Sequence, residues 1–178
     1  MRCGWWLPLV ALASLALAEP LAAPPLRAQE TGSAEDIVSS PISLETVRGL
    51  LARGDAAAAR GDLTEARRLY DQARDLSRRL LGFYRDLSGA FRGLDARIPR
   101  EMDQKGRETL QVLAQTNLRL AALFRRQNQP EVAVPLLVEV VKVMTPVSEE
   151  GRQAYQSLVE IGFARTPYTA GQAASGGS

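Results

Sequence analysis

Between residues 43 and 164, apolar side chains recur at spacings of three and four, the period of helices that bury one face. The first predicted helix, over 43–60, gathers Leu44, Val47, Leu50, Leu51, Gly54, Ala57 and Ala58 on one side. Gly61 then offers a stop, and Asp62 with Glu65 three residues on has the form of a capping box. The second helix, over 63–95, has the strongest periodicity in the chain. Ala66, Ala73, Leu80, Leu87 and Leu94 fall at seven-residue steps, with Leu69, Leu76, Phe83 and Ala90 three places behind the first four. Asp71, Arg78, Arg85 and Arg92 occupy the opposite, solvated face. Pro99 reads as the opening residue of a third helix over 100–127, with Leu110, Leu113, Leu120, Ala121 and Phe124 inward. Residues 130–144 predict a fourth helix that starts on Pro130, although their β-branched content leaves a strand as the alternative. Thr145 and Pro146 would cap a fifth helix over 147–164, its inward face being Val147, Ala154, Tyr155, Leu158, Ile161 and Gly162. The expected fold is all-α, about five antiparallel helices in hairpins with one long helix near 63–95.

The ends follow other rules. One Arg precedes an uncharged apolar run from Trp5 to Leu17, and Ala16-Leu17-Ala18 is a small-x-small site, so residues 1–18 read as a cleavable secretory signal, with a second cut site near residue 29. The run is short for a bilayer span and has no twin-Arg pair, which indicates Sec export. The expected compartment is extracytoplasmic: the periplasm, or the thylakoid lumen in a photosynthetic source. Residues 19–41 read as a flexible leader rich in Pro and Ala, residues 42–165 as the helical domain, and residues 166–178 as a disordered tail. Cys3, the only cysteine, lies inside the signal, so the mature chain has no thiol for a disulfide.

Charge excludes more than it selects. The net charge is +2, and without residues 1–29, which carry Arg2, Arg27 and Glu19, it is +1. Neither value calls for a polyanion, and no nucleic-acid partner is indicated. Arginine outnumbers lysine by 20 to 2, which in an Ala- and Gly-rich chain reflects codon usage more than a selected role for guanidinium.

In its helical hairpins the chain resembles the tetratricopeptide repeat family, whose unit is two antiparallel helices. One degenerate copy spans 47–78: Leu50 stands at the large first position and Gly54 at the small crossing position. Ala57 follows, Gly61 makes the turn, and Leu63, Ala66, Tyr70 and Ala73 belong to the second helix. Another spans 114–146, with Ala121 at the crossing, Phe124 as the aromatic, Asn128 in the turn, Ala133 as the packing alanine, and Leu137 and Val140 following. The resemblance favours helix over strand for 130–144 and accounts for Pro135 as a residue near a helix start, where a missing N–H costs least. Residues 80–112 depart from the pattern.

The resemblance implies a non-catalytic module that binds a protein or peptide, and its groove positions fall on Arg48, Asp55, Gln115, Arg119 and Arg126. The long second helix adds an apolar patch, Phe83, Tyr84, Leu87, Phe91 and Leu94, suited to a second copy of the chain or to another partner unless the leader or the fifth helix covers it. An adaptor on an anionic membrane, docked by the Arg-bearing face of helix two, is the alternative. The twice-repeated Arg-Gly-Asp at 53–55 and 60–62 resembles an adhesion signal, but both glycines have structural roles in helices. Histidine is absent throughout, and the mature chain has no cysteine and no glycine-rich phosphate loop, so no metal, cofactor or catalytic residue is expected. Glu149 with Glu150, and Glu101 with Asp103, could be carboxylate pairs for hydrolysis, but acidic residues in a first helical turn are accounted for by the helix dipole.

Overall fold

A computed structural model describes residues 42–169, and in them the chain is all-helical. Residues 1–41, read from the sequence as a signal and leader, and residues 170–178 of the expected tail lie outside the described residues. The elements are α1 (Leu44–Ala59), α2 (Leu63–Ala90), α3 (Arg97–Arg126), α4 (Pro130–Met144) and α5 (Glu149–Glu160). Each packs antiparallel on the next through a short turn. In addition α3 touches α1 and α5, so α1, α3 and α5 form one layer, and α2 and α4 the other.

Local chemistry sets most boundaries. The Ser43 side chain accepts the Thr46 N–H at 3.1 Å and starts α1. Gly61 turns the chain at a φ of 82°, and Asp62 Oδ1 accepts the Glu65 N–H at 3.0 Å to start α2. The reciprocal half of the capping box does not form: the Asp62 N–H donates to the Ala57 carbonyl at 3.0 Å, and the Glu65 carboxylate accepts from Arg68. Asn128 closes α3 with a φ of 57°, a conformation asparagine tolerates better than most residues.

Several expectations are corrected. The second helix stops at Ala90 instead of residue 95, because Gly93 adopts a φ of 85° and turns the chain. The third begins at Arg97, with Asp95 accepting its N–H at 2.9 Å; Pro99 sits inside the first turn, where none of the N–H groups has a helical partner. Pro135 lies past the first turn of α4, so it does remove an intrahelical bond, the one that Glu131 would accept. Ser148, not Thr145-Pro146, caps α5 by accepting the Gly151 N–H at 3.0 Å. Val147 precedes that helix and is 79% exposed, and Gly162 turns outward after it with a φ of 78°. The segment expected to be a tail begins against α5: Tyr155 donates to the Thr166 carbonyl and meets the Tyr168 ring edge-on.

The core is continuous through all five helices. Val47 and Ala57 of α1, Ala66, Leu69 and Ala73 of α2, Leu120 and Ala121 of α3, Ala133, Leu137 and Val140 of α4, and Ala154 and Leu158 of α5 are buried in it. Because α3 touches all four other helices, it also buries Val112, Ala114, Leu123, Thr116 and Asn117, which a one-sided periodicity does not single out. Thr116 satisfies its hydroxyl on the Val112 carbonyl one turn back.

Across the outer layer, Glu139 of α4 accepts from Arg74 at 2.8 Å and from Arg78 at 2.9 Å. Burial pushes the Glu139 carboxyl up, but the hydrogen bonds from Arg78 and Arg74 outweigh it and hold the group below the usual carboxylate range. A carboxyl depressed in the folded state contributes stability above its unfolded pKa of about 4.3, and that contribution is lost as pH falls through the lower folded value. Between about pH 6 and pH 3 the wild type should therefore lose about 1 kcal/mol more than Glu139→Gln. Urea unfolding across that range checks this, and parallel profiles would refute the clamp.

Candidate functional site

Four of the five groove residues converge. Arg48 and Asp55 on α1, with Gln115 and Arg119 on α3, line one cleft of about 300 Å³ floored by Leu51 and Val112. The repeating spacing of α1 points Leu51 and Gly54 inward and leaves Arg48, Ala52 and Asp55 along the flank that meets α3. A second cleft of about 410 Å³ shares Gln115 and Arg119 and runs on to Leu118 and Ala122, with Glu149, Glu150 and Gln153 of α5 on its far wall. The two form one strip across α1, α3 and α5. Arg126, the fifth predicted position, stands exposed at the end of α3 and lines neither cleft.

A bonded network holds the strip in shape. Asp55 accepts the Tyr70 hydroxyl at 2.7 Å and the Arg119 Nε–H at 2.9 Å, tying α1, α2 and α3 together. Burial, and then the bond to Asp55, push the Tyr70 phenol far up, so the hydroxyl stays protonated and donates. At the other end Glu150 accepts from Gln111 at 3.1 Å and Gln115 at 3.3 Å. Burial raises the Glu150 carboxyl, but its own backbone N–H and the two amides outweigh that and leave it ionised below the ordinary range. The remaining carboxylates considered for hydrolysis also have neighbours. Glu149 pairs with Arg152, Glu101 with Lys105 at 2.7 Å, and Asp103 accepts from Ser88 at 2.8 Å.

The strip is thus polar and mixed in charge. Arg119, expected as a groove position, is paired with Asp55. The α5 wall was missed, since only tertiary packing brings Glu150 and Gln153 opposite Gln115. In the first Arg-Gly-Asp, Gly54 is buried and Asp55 is bonded to Tyr70, while Asp62 of the second caps α2.

The apolar patch is arranged differently from its expected stripe. Leu69, Leu76 and Leu80 are buried, but Phe83 is 48%, Leu87 46% and Leu94 79% exposed, with Tyr84 and Phe91 half-buried. The cause is length. At 28 residues α2 is about 42 Å long against about 24 Å for the 16 residues of α1. Antiparallel pairing from the Gly61 turn brings the start of α1 level with about residue 78, so the rest of α2 projects with the first half of α3 alone beside it. The fifth helix does not contact α2, which removes it as a cover.

Among the described residues no group of three or more acidic, His or Cys residues is placed to hold a metal ion, and no helix is long and apolar enough to cross a membrane. The chain matches no protein-family model, no curated protein and no solved structure.

Proposed function

We propose that the protein is an exported, non-catalytic binding or assembly module of tetratricopeptide-like type that takes an extended segment of a partner protein along the α1–α3–α5 strip. The observation that carries the reading is the pair of adjoining clefts that share Gln115 and Arg119 on three successive layer-forming helices. Amides and compensated charges there offer directional hydrogen bonds to a peptide backbone and its polar side chains, and Leu51, Val112 and Leu118 supply apolar contact. Export to the periplasm, or to the thylakoid lumen in a photosynthetic source, belongs to this reading.

Selection of peptides from a random display library against the immobilised protein tests it. Ala52 is exposed on the cleft wall, so Ala52→Trp fills the space without entering the core. Selected peptides should bind this variant about tenfold more weakly or worse, with its melting temperature unchanged. A library that yields no binder, or binders indifferent to Ala52→Trp, would remove the strip from consideration.

The alternative, an adaptor on an anionic membrane, keeps Arg85 and Arg92 of its basic face, since Arg78 is held by Glu139. The exposed Phe83 and Leu87 keep self-association as a further form of the assembly reading.

A further inference from the structure

The projecting α2–α3 hairpin carries another cleft, of about 470 Å³, that shares no residue with the strip described above. Its apolar lining is Leu81, Tyr84, Met102 and Leu110. Three guanidinium groups line it, Arg85 from α2, Arg92 from the turn that follows α2, and Arg107 from α3. The one carboxylate present, Asp103, already accepts the Ser88 hydroxyl at 2.8 Å. Among the described residues, Arg85 and Arg92 have no hydrogen-bond or ion-pair partner, and Arg107 donates only to the Gln104 side-chain carbonyl. Three cations thus line a cleft that holds one carboxylate.

The same helix face shows what satisfies such a row. Arg74, Arg78 and Arg85 share a side of α2, and Arg92 follows in the turn beyond its end. Lower on that side, α4 packs and inserts Glu139 between Arg74 and Arg78. The fourth helix ends at Met144, and in the cleft between α2 and α3 Asp103 is the one carboxylate beside the three arginines. We propose that this cleft seats an acidic amphipathic helical segment of a partner protein, lying in line with α4 and setting carboxylates against Arg85, Arg92 and Arg107 as Glu139 is set against Arg74 and Arg78. A small anion would answer the charge but leave the half-buried Leu81, Tyr84 and Leu110 as they are. A helical segment covers both, with leucines on the floor and glutamates at the rim. The surface is independent of the α1–α3–α5 strip, and either can fail without the other.

Gly106 makes the test clean. It lies in the cleft wall on α3, and a Cβ built there meets no atom within 4 Å. A larger residue enters the cleft instead of the core, and it favours the helix besides. The probe is a fluorescein-labelled peptide that repeats Glu-Leu-Ala-Glu-Leu-Leu-Ala twice, titrated with the full-length protein. Binding should fall on the order of 10 μM at low salt. It should weaken about tenfold when Gln replaces Glu in the peptide, and about tenfold with Arg85→Gln and Arg92→Gln combined. Gly106→Leu should abolish it while the melting temperature holds or rises. Equal affinity for the Glu and Gln peptides, wild-type affinity in Gly106→Leu, or no binding at about 1 mM each overturns the proposal. Binding to phosphatidylglycerol vesicles that depends on Arg85 and Arg92, with none to the peptide, would assign the arginines to a lipid surface and overturn it as well.

Discussion

Gly151→Ala is expected to cost about 3 kcal/mol and to lower the melting temperature by on the order of 10 °C, although alanine is the better helix former at an exposed site. The added methyl group would overlap the backbone carbonyl oxygen of Thr145, and no side chain is available to swing away. That carbonyl is held in place from two sides, since it accepts from the Ser148 N–H at 3.2 Å and from the Ser148 hydroxyl at 3.1 Å. The same hydroxyl caps α5 on the Gly151 N–H. Relief requires α5 to move off the α4–α5 turn, where Thr145 already holds a φ of 58°, uncommon for a β-branched residue. The loss therefore falls on the docking of α5 and on the Glu150 wall of the strip. Thermal melts followed by circular dichroism, with tryptic cleavage at Arg152 as a local probe, check it. A variant that melts with the wild type and is cut no faster would show that the turn yields freely.

The second large effect is a contrast within one helix. Gly54→Ala should destabilise by about 2 kcal/mol, and Gly49→Ala should stabilise by about 0.5 to 1 kcal/mol. A Cβ at Gly54 would come within 2.5 Å of Tyr70 Cε1 and 2.7 Å of Cδ1, whereas at Gly49 nothing lies within 4 Å. The Tyr70 ring has little room to give way. It is buried, and its hydroxyl is tied to Asp55 at 2.7 Å. Shifting the ring would break the network that positions Arg119, so the strip should lose affinity for its peptides together with stability. Tyr70→Leu placed in the Gly54→Ala background should recover part of the loss, and Tyr70→Phe, which keeps the ring, should not. Chemical denaturation of the four variants decides this. If Gly49→Ala and Gly54→Ala shift stability alike, close approach of α1 and α2 is not what glycine is there for.

Gly54 was legible because it lies on the apolar face of its helix, and the resemblance to the tetratricopeptide pattern implied that it is a crossing residue. Gly151 was not, since its reason lies in a carbonyl six residues away that only the turn geometry brings against it. The candidate site divides the same way. Arg48, Asp55, Gln115 and Arg119 could be placed on one strip from repeat positions, because helical period dictates which side chains share a face. Their state could not: Arg119 is paired with an aspartate 64 residues distant, and Gln115 donates to a glutamate on α5.

The amino-acid order alone determined an all-helical chain of about five elements, with their turns near residues 61, 128 and 145. Those features depend on spacing, capping and backbone preference within a few residues. Tertiary structure decided where long helices outlast their neighbours, and therefore that Phe83 and Leu87, which continue a core stripe in periodicity, are left exposed. It also decided which charges cancel, leaving Arg85 and Arg92 open where α4 ends. Periodicity records what a helix can bury; what it does bury is set by the length of the helices packed against it.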